Sequence, residues 1–208
     1  RDELVAMTPN PQTGPQYSDL SRIAMERART AREAVEIIGA LIDTYGYSTY
    51  GGNSHMFADE QEGWVLLNFA GGKGLWVAER LGPDDIRMSY PGYIGDVPLD
   101  LKNSDNFMAS ANFIDFAIEQ GWYNPDSGEA FNVTKCYGVE KERYPRSAME
   151  VELRAAAPID LRAMMNAVRD PRIAKDSTGY GQVAALKANP HPDLNLLWIA
   201  PTGSVTAP

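Results

Sequence analysis

A chain of 208 residues with 28 acidic and 19 basic side chains, formal charge −9, is long enough for one domain with its own core, and its field repels phosphate backbones and anionic membranes. A composition of 44% hydrophobic, 10% aromatic and 23% charged residues is that of a folded globular protein and excludes a disordered one. No apolar stretch reaches the roughly 20 residues that a bilayer helix needs, so neither nucleic acid nor membrane is expected as a partner, and a single cysteine, Cys136, excludes an internal disulfide.

Pro9, Pro11, Gly14 and Pro15 mark residues 1–17 as an extended lead-in that needs other structure to lie on. From Ser18 onward, Leu20, Ile23, Ala24 and Ala28 recur with the helical period. Thr30 and Glu33 then spell a capping box ahead of the stripe Ala34, Val35, Ile38, Leu41 and Ile42, with Gly46 as C-terminal cap, so the spacing predicts a helix over 30–45. A Tyr/Gly loop is expected after it.

Two apolar runs, 64–69 and 75–80, flank Ala70-Gly71-Gly72-Lys73-Gly74. A phosphate cradle places its glycines before a helix and follows its lysine with Ser or Thr; here Gly74 follows Lys73, and Leu75, Trp76 and Val77 favour a strand. The glycines are therefore read as the turn of a hairpin, with a third strand at 86–90 before Pro91-Gly92 completing an antiparallel meander. Residues 106–122 read as a helix through Phe107, Ala111, Ile114, Phe116 and Ile118, ending at Gly121, with a turn at 124–128. A short strand over 131–138, a strand end near 153, a helix from Asp160 and a late strand at 194–200 complete the chain. Helices and hairpins come in blocks, which argues for an α+β fold, an antiparallel sheet covered by helices.

Chemistry is sparse. His55 and His191 lack a second ligand at three- or four-residue spacing, so no metal site is expected, and no Gly-x-Ser-x-Gly elbow occurs. Cys136 has only Lys135 as an adjacent cation and no histidine beside it, and reads as a half-buried strand cysteine. Asn132-Val133-Thr134 matches a glycosylation acceptor by accident of a strand. Asp59, Glu60, Glu62, Asp84 and Asp85 read as a solvated face or turn, and residues 100–106 lack the glycine and closing glutamate of a calcium loop. Read alone, these residues describe an acidic α+β domain without a complete active site.

Residues 26–47, ERARTAREAVEIIGALIDTYGY, resemble a helix of the bacterial dipeptidase family of N-terminal-nucleophile (Ntn) cysteine hydrolases. Four further blocks follow in that family's order: ADEQEGW, LWVAERLGPDD, DNFMASANFIDFAIEQGWYNPDSGEAFN, and GYGQVAALK running on to LLWIAP. The resemblance covers about residues 20–201 and implies a four-layer αββα sandwich with antiparallel sheets, residues 1–208 forming a single-domain fragment of it without its N-terminal strands. It implies a peptidase that hydrolyses dipeptides through an acyl-cysteine, an N-terminal cysteine using its own α-amino group as base, which requires no histidine and no cofactor.

This chain begins with Arg1 and both ends read as cut, so the nucleophile is expected on a companion N-terminal segment or chain, leaving this chain alone inactive. Where relatives carry an Asn that helps hold the oxyanion, this sequence has Tyr90, Pro91 and Gly92; the Tyr90 hydroxyl and the Gly92 N–H are the candidate replacements. Leu67 followed by Asn68 stands where the family has a Glu, so one polar contact is lost or moved by a residue. Arg146, near the family's Arg, is the candidate clamp for a substrate carboxylate. Two alternatives stay open: an Ntn hydrolase or acyltransferase for a non-peptide amide, and a binding module that lost the cysteine. Homo-oligomerisation, compartment and side-chain preference are not written in these residues.

Overall fold

The computed structural model describes residues 1–88, 94–138, 146–174, 181–186, 191 and 196–200. They fall into two compact units, Arg1–Asp85 with Ser89–Lys141 and Ile86–Met88 with Glu142–Pro208.

In the first unit a short helix, α1 (Asp2–Ala6), interrupts the segment expected to be extended, because Leu4 inserts into the core at 2% exposure and tertiary cover does what five residues of propensity cannot. Helices α2 (Tyr17–Arg27) and α3 (Ala31–Tyr45) stand where their apolar periods place them. The Thr30 hydroxyl accepts the Glu33 N–H at 3.1 Å, but the returning half of the capping box lands one residue early, on the Arg29 N–H at 2.7 Å. Gly46, at φ 83°, ends α3.

Strands β1 (Asn53–Ala58), β2 (Gly63–Asn68), β3 (Trp76–Leu81) and, after the short β4 (Asp96–Val97), β5 (Phe107–Ala109) make an antiparallel sheet in the order β1-β2-β3-β5. The hairpin at 64–80 is as expected, with Asn68 opposite Trp76. Its turn needs glycine twice over: Gly71 and Gly72 have φ of 99° and 67°, and a Cβ on either would lie 2.8 Å from the Leu4 side chain or 2.5 Å from the Pro9 ring. The Gly71 N–H that a phosphate would seek donates to the Thr8 hydroxyl at 3.1 Å.

Three expectations are corrected. Residues 86–88, the described part of the anticipated third strand, are not in a strand; β3 pairs instead with β5, read from sequence as the start of a helix. Phe107 and Ala109 pack on one side of the sheet and Met108 on the other, so both faces are apolar and the period of two is invisible. The helix α4 (Phe113–Glu119) starts only after Asn112. Residues 131–138 form a strand for two residues, β6 (Phe131–Asn132), paired with β4, before the Asn132 side chain accepts the Lys135 N–H at 3.0 Å and starts α5 (Val133–Tyr137). The Tyr/Gly loop stands at 46–52 as expected, and β1, which follows it, is not anticipated; His55 is its sole fully buried side chain, too weak a pattern to read.

The second unit holds α6 (Arg146–Ala155), α7 (Leu161–Val168) and the antiparallel pair β7 (Gly181–Ala184) and β8 (Leu197–Ala200). The strand end expected near 153 lies inside α6, whereas α7 begins where Asp160 predicts it, that carboxylate accepting the Ala163 N–H at 2.7 Å. Within this unit the Glu150 carboxylate accepts the Met88 N–H at 2.8 Å, and Arg154 donates to the Ile86 carbonyl at 3.2 Å, holding residues 86–88 on α6. Arg172 joins Glu152 (2.6 Å) and Asp170 (2.7 Å) in one exposed network.

The central sheet is covered on both sides. Trp64, Leu66 and Ala78 face Leu20, Val35, Ile38 and Ile42 of α2 and α3, while Val65, Leu67 and Val77 face Phe113, Phe131 and Tyr137. The mixed helical and antiparallel architecture is the α+β class expected. No helix among the described residues is long and apolar enough to cross a membrane.

Two side chains fix how α3 sits on the sheet. The Trp76 indole donates to Asp43 at 2.9 Å and lies over Gly39, where a Cβ would come 2.4 Å from the ring. Asp59, in the β1–β2 turn, accepts the Ala31 N–H at 2.8 Å with one oxygen and the Gln61 and Glu62 N–H groups at 2.8 and 2.9 Å with the other. Burial acts to raise its pKa, but these three donors outweigh it and hold the carboxyl below its ordinary value.

Gly39→Ala is expected to lower stability by about 1–3 kcal/mol in urea denaturation, overpacking winning over the helix propensity it gains; an unchanged or raised midpoint would refute the tight seat for Trp76. Asp59→Ala should cost about 1–3 kcal/mol at neutral pH. Because the folded pKa is the lower one, the Asp59 contribution is complete above the unfolded value of about 3.9 and disappears as pH falls through the folded value. The variant's stability should accordingly lose part of its dependence on pH below about 4, measured by denaturation at stepped pH.

Candidate functional site

Of the residues the sequence singles out for substrate contact, Tyr90 and Gly92 lie outside the described residues. Arg146 opens α6 in the second unit, with its side chain outside them.

The arrangement closest to a catalytic one is Ser21, His55 and Asn53. Alternation along β1 puts Asn53 and His55 on one face, opposite Asn68 and Leu66 of β2, and α2 lays Ser21 over them. The Ser21 hydroxyl is 2.8 Å from His55 Nδ1, and Asn53 Nδ2 is 3.2 Å from Nε2. This is the order of nucleophile, base and orienting amide. The hydrogen bonds assign the proton the other way: Asn53 donates to Nε2, so Nδ1 carries the hydrogen and donates to Ser21. His55 is 4% exposed, and burial lowers its pKa to about 4 although the Asn68 amide acts to raise it. A neutral, weakly basic ring without access to substrate ties α2 to the sheet and is not a general base. Sequence spacing could not bring Ser21 to His55, because only the docking of α2 on β1 does so.

Cys136 is equally unsuited to attack. It lies on α5 and not on the expected strand, is 3% exposed, and its thiol faces the Trp122 carbonyl at 3.6 Å. Burial pushes the thiol pKa up, while Arg1 and Lys135 act weakly against it. The Arg1 guanidinium is committed elsewhere: its Nε donates to the Cys136 carbonyl at 2.5 Å, and it stacks 4.9 Å from the Trp122 ring centroid, covering the end of α5.

The acidic groups are structural. Glu62, expected on a solvated face, accepts the Trp64 indole N–H at 2.8 Å and pairs with the Arg80 guanidinium, while Arg32 lies 5.6 Å over the same indole. Burial would raise the Glu62 pKa; Arg80 and Trp64 outweigh it and lower it. Asn132, the glycosylation-like asparagine, donates to Asp96 at 2.7 Å while it caps α5. In the stretch 100–106 the Asp100 carboxylate accepts Asn103 Nδ2 at 2.7 Å, and the Ser104 hydroxyl accepts the Phe107 N–H at 3.1 Å. Among the described residues no three His, Cys, Asp or Glu side chains gather in a group that could hold a metal.

Comparison with known proteins supplies what the side chains do not. Residues 2–148 match Peptidase family C69. "Probable dipeptidase A" of Streptococcus pyogenes serotype M1 is 30% identical over 125 residues, 60% of this chain and 25% of that protein. "Probable dipeptidase B" of Lactococcus lactis subsp. lactis is 32% identical over 123 residues, 59% of this chain and 24% of its own length. "Dipeptidase" of Bifidobacterium longum is 28% identical over 144 residues, covering 59% and 26%. The chain thus spans about a quarter of the length of the curated relatives it matches. The family match takes in the elements from α1 to α5 and more than half of the sequence, and the chain belongs to peptidase family C69.

Proposed function

We propose that this chain is part of an Ntn-type peptidase that hydrolyses dipeptides through an acyl-cysteine intermediate, with the nucleophilic cysteine on a companion segment or chain outside residues 1–208. The observation that carries the reading is the C69 match across the helices and sheet of the first unit. The relatives named dipeptidase support the substrate class. Buried Cys136, the only cysteine here, supports a nucleophile placed elsewhere. A sheet covered on both faces supports an αββα sandwich as the architecture of the whole protein, β1-β2-β3-β5 being one of its sheets.

In this reading the α-amino group of the N-terminal cysteine takes the thiol proton, and the thiolate adds to the scissile carbonyl carbon. The amine half of the dipeptide leaves with a proton, and water then hydrolyses the thioester. The Tyr90 hydroxyl or the Gly92 N–H donates to the developing oxyanion, and Arg146 holds the substrate carboxylate through a two-pronged ion pair. No step uses a cofactor. The Tyr90-Pro91-Gly92 block, in place of the relatives' Asn, favours one second reading, hydrolysis or acyl transfer on a non-peptide amide.

The deciding assay is hydrolysis of a dipeptide panel beside N-acyl amides by the intact protein, with intact mass and N-terminal sequencing of every polypeptide in the sample. Dipeptide cleavage abolished by alkylating an N-terminal cysteine is the expected result; turnover of acyl amides alone would select the second reading, and no turnover of either would leave a binding module. Arg146→Ala should raise the dipeptide KM roughly 10- to 100-fold, the equivalent of about 1.5–3 kcal/mol for a charged hydrogen-bonded contact, with kcat little changed. An unaltered KM would discard the clamp.

A further inference from the structure

Strand β8 and the residue before it carry four large apolar side chains in succession, Leu196, Leu197, Trp198 and Ile199, all exposed and the least of them, Trp198, at 43%. A single exposed leucine is ordinary, whereas an unbroken apolar run on a surface marks a place of contact. The hairpin register sets Leu197 and Ile199 beside Ala184 and Gln182 on one face, and Trp198 and Ala200 beside Val183 and Gly181 on the other. Helix α7 lies against β7, where Gly181 and Val183 are half-buried. On the opposite face Gln182, Ala184, Leu197 and Ile199 are all exposed, and among the described residues none of them joins a buried apolar cluster.

Neither strand of this hairpin carries a charge, although the chain has 28 acidic and 19 basic residues. Strands that stay at a solvated edge are commonly kept from pairing by charge, proline or a bulge, and β8 has neither charge nor proline within it. Its sequence is instead of the kind seen in β2, where Trp64, Val65, Leu66 and Leu67 run without interruption and are buried between two apolar layers. In β7, by contrast, half-buried and exposed residues alternate. Among the described residues β7 is the only strand paired with β8, and a lone hairpin is marginal in water. Strand β8 thus has the composition of an interior strand and the surroundings of an edge.

The curated relatives supply the length from which a partner can come, since the chain spans about a quarter of theirs. We propose that β8 is an interface strand: its outer edge pairs with a further strand from the part of the protein outside residues 1–208, and that part lays apolar side chains over Leu197, Ile199 and Ala184. The proposal rests on the reading that the peptidase extends beyond these residues onto a companion segment or chain, and it assigns that companion a structural contact distinct from the supply of the nucleophile.

Hydrogen exchange of the intact protein, resolved to single amides over residues 197–200 and run at two protein concentrations, tests the contact. A strand paired with β7 alone leaves alternate amides exchanging freely, whereas one paired on both edges protects every amide, by about a hundredfold or more and equally at both concentrations. Ile199→Lys in the intact protein should lower the folding equilibrium constant roughly tenfold or more, against about twofold or less for a position that stays in solvent. The exchange pattern of the unaltered protein does not depend on any variant folding. Freely exchanging alternate amides, or a neutral Ile199→Lys, would overturn the proposal. So would protection that grows with concentration alongside a dimer, seen by sedimentation, that Ile199→Lys dissolves, because the strand would then meet a second copy of the chain. Dipeptide hydrolysis by the same samples reports separately on the function: turnover with an unprotected β8 removes this interface and keeps the peptidase, and a protected β8 without turnover does the reverse.

Discussion

Strand β2 has no solvent face, and most of the first unit follows from that. A strand covered on both sides needs two apolar layers, and α2 with α3 supply one while α1, α4 and α5 supply aromatic and aliphatic side chains to the other. Each polar group that enters this layered structure must bring its partner with it. Asp59 meets three N–H donors, Glu62 meets Arg80 and the Trp64 indole, Asp43 meets Trp76, and His55 meets Ser21 and Asn53. The acids that the sequence assigns to a solvated face, Asp59 and Glu62, are in the folded chain tied to donors.

The same constraint decides what could be read in advance. Local signals with a complete mechanism in a few residues were legible: Thr30 and Gly46 bounding α3, Asp160 starting α7, and the glycines between two apolar runs. Signals that depend on what covers an element were not. Phe107-Met108-Ala109 has apolar groups on both sides and reads as either helix or strand until β3 claims its backbone. Residues 133–137 are largely β-branched and aromatic, yet the Asn132 cap and burial of Val133, Cys136 and Tyr137 turn them into a helix. Asn68 illustrates how sharply position matters: a polar residue at 67 would point into the Phe113–Tyr137 side of the sheet, whereas at 68 it points toward the helices.

The site was less legible than the fold for a different reason. The nucleophile of the proposed mechanism is defined by a free terminus and an amine, features that no internal spacing of side chains records. The resemblance blocks carried the family, and the chain's membership of C69 agrees with them. The individual roles of Tyr90, Gly92 and Arg146 depend on geometry beyond the described side chains. The described residues do constrain the chemistry, since His55 and Cys136 are both buried and offer neither an exposed base nor an exposed nucleophile.

The contact between Gly39 and Trp76 also shapes how this sequence can diverge. The indole fills the notch left by the missing Cβ and is anchored by Asp43 one helical turn further on, so positions 39, 43 and 76 are free to change together but not singly. An aligned set of relatives should show these three varying as a block: a larger residue at 39 accompanied by a smaller one at 76, and the acid at 43 surviving only beside an indole. In that sense the distance between helix and sheet is inherited as a triplet of residues and not as a property of either element.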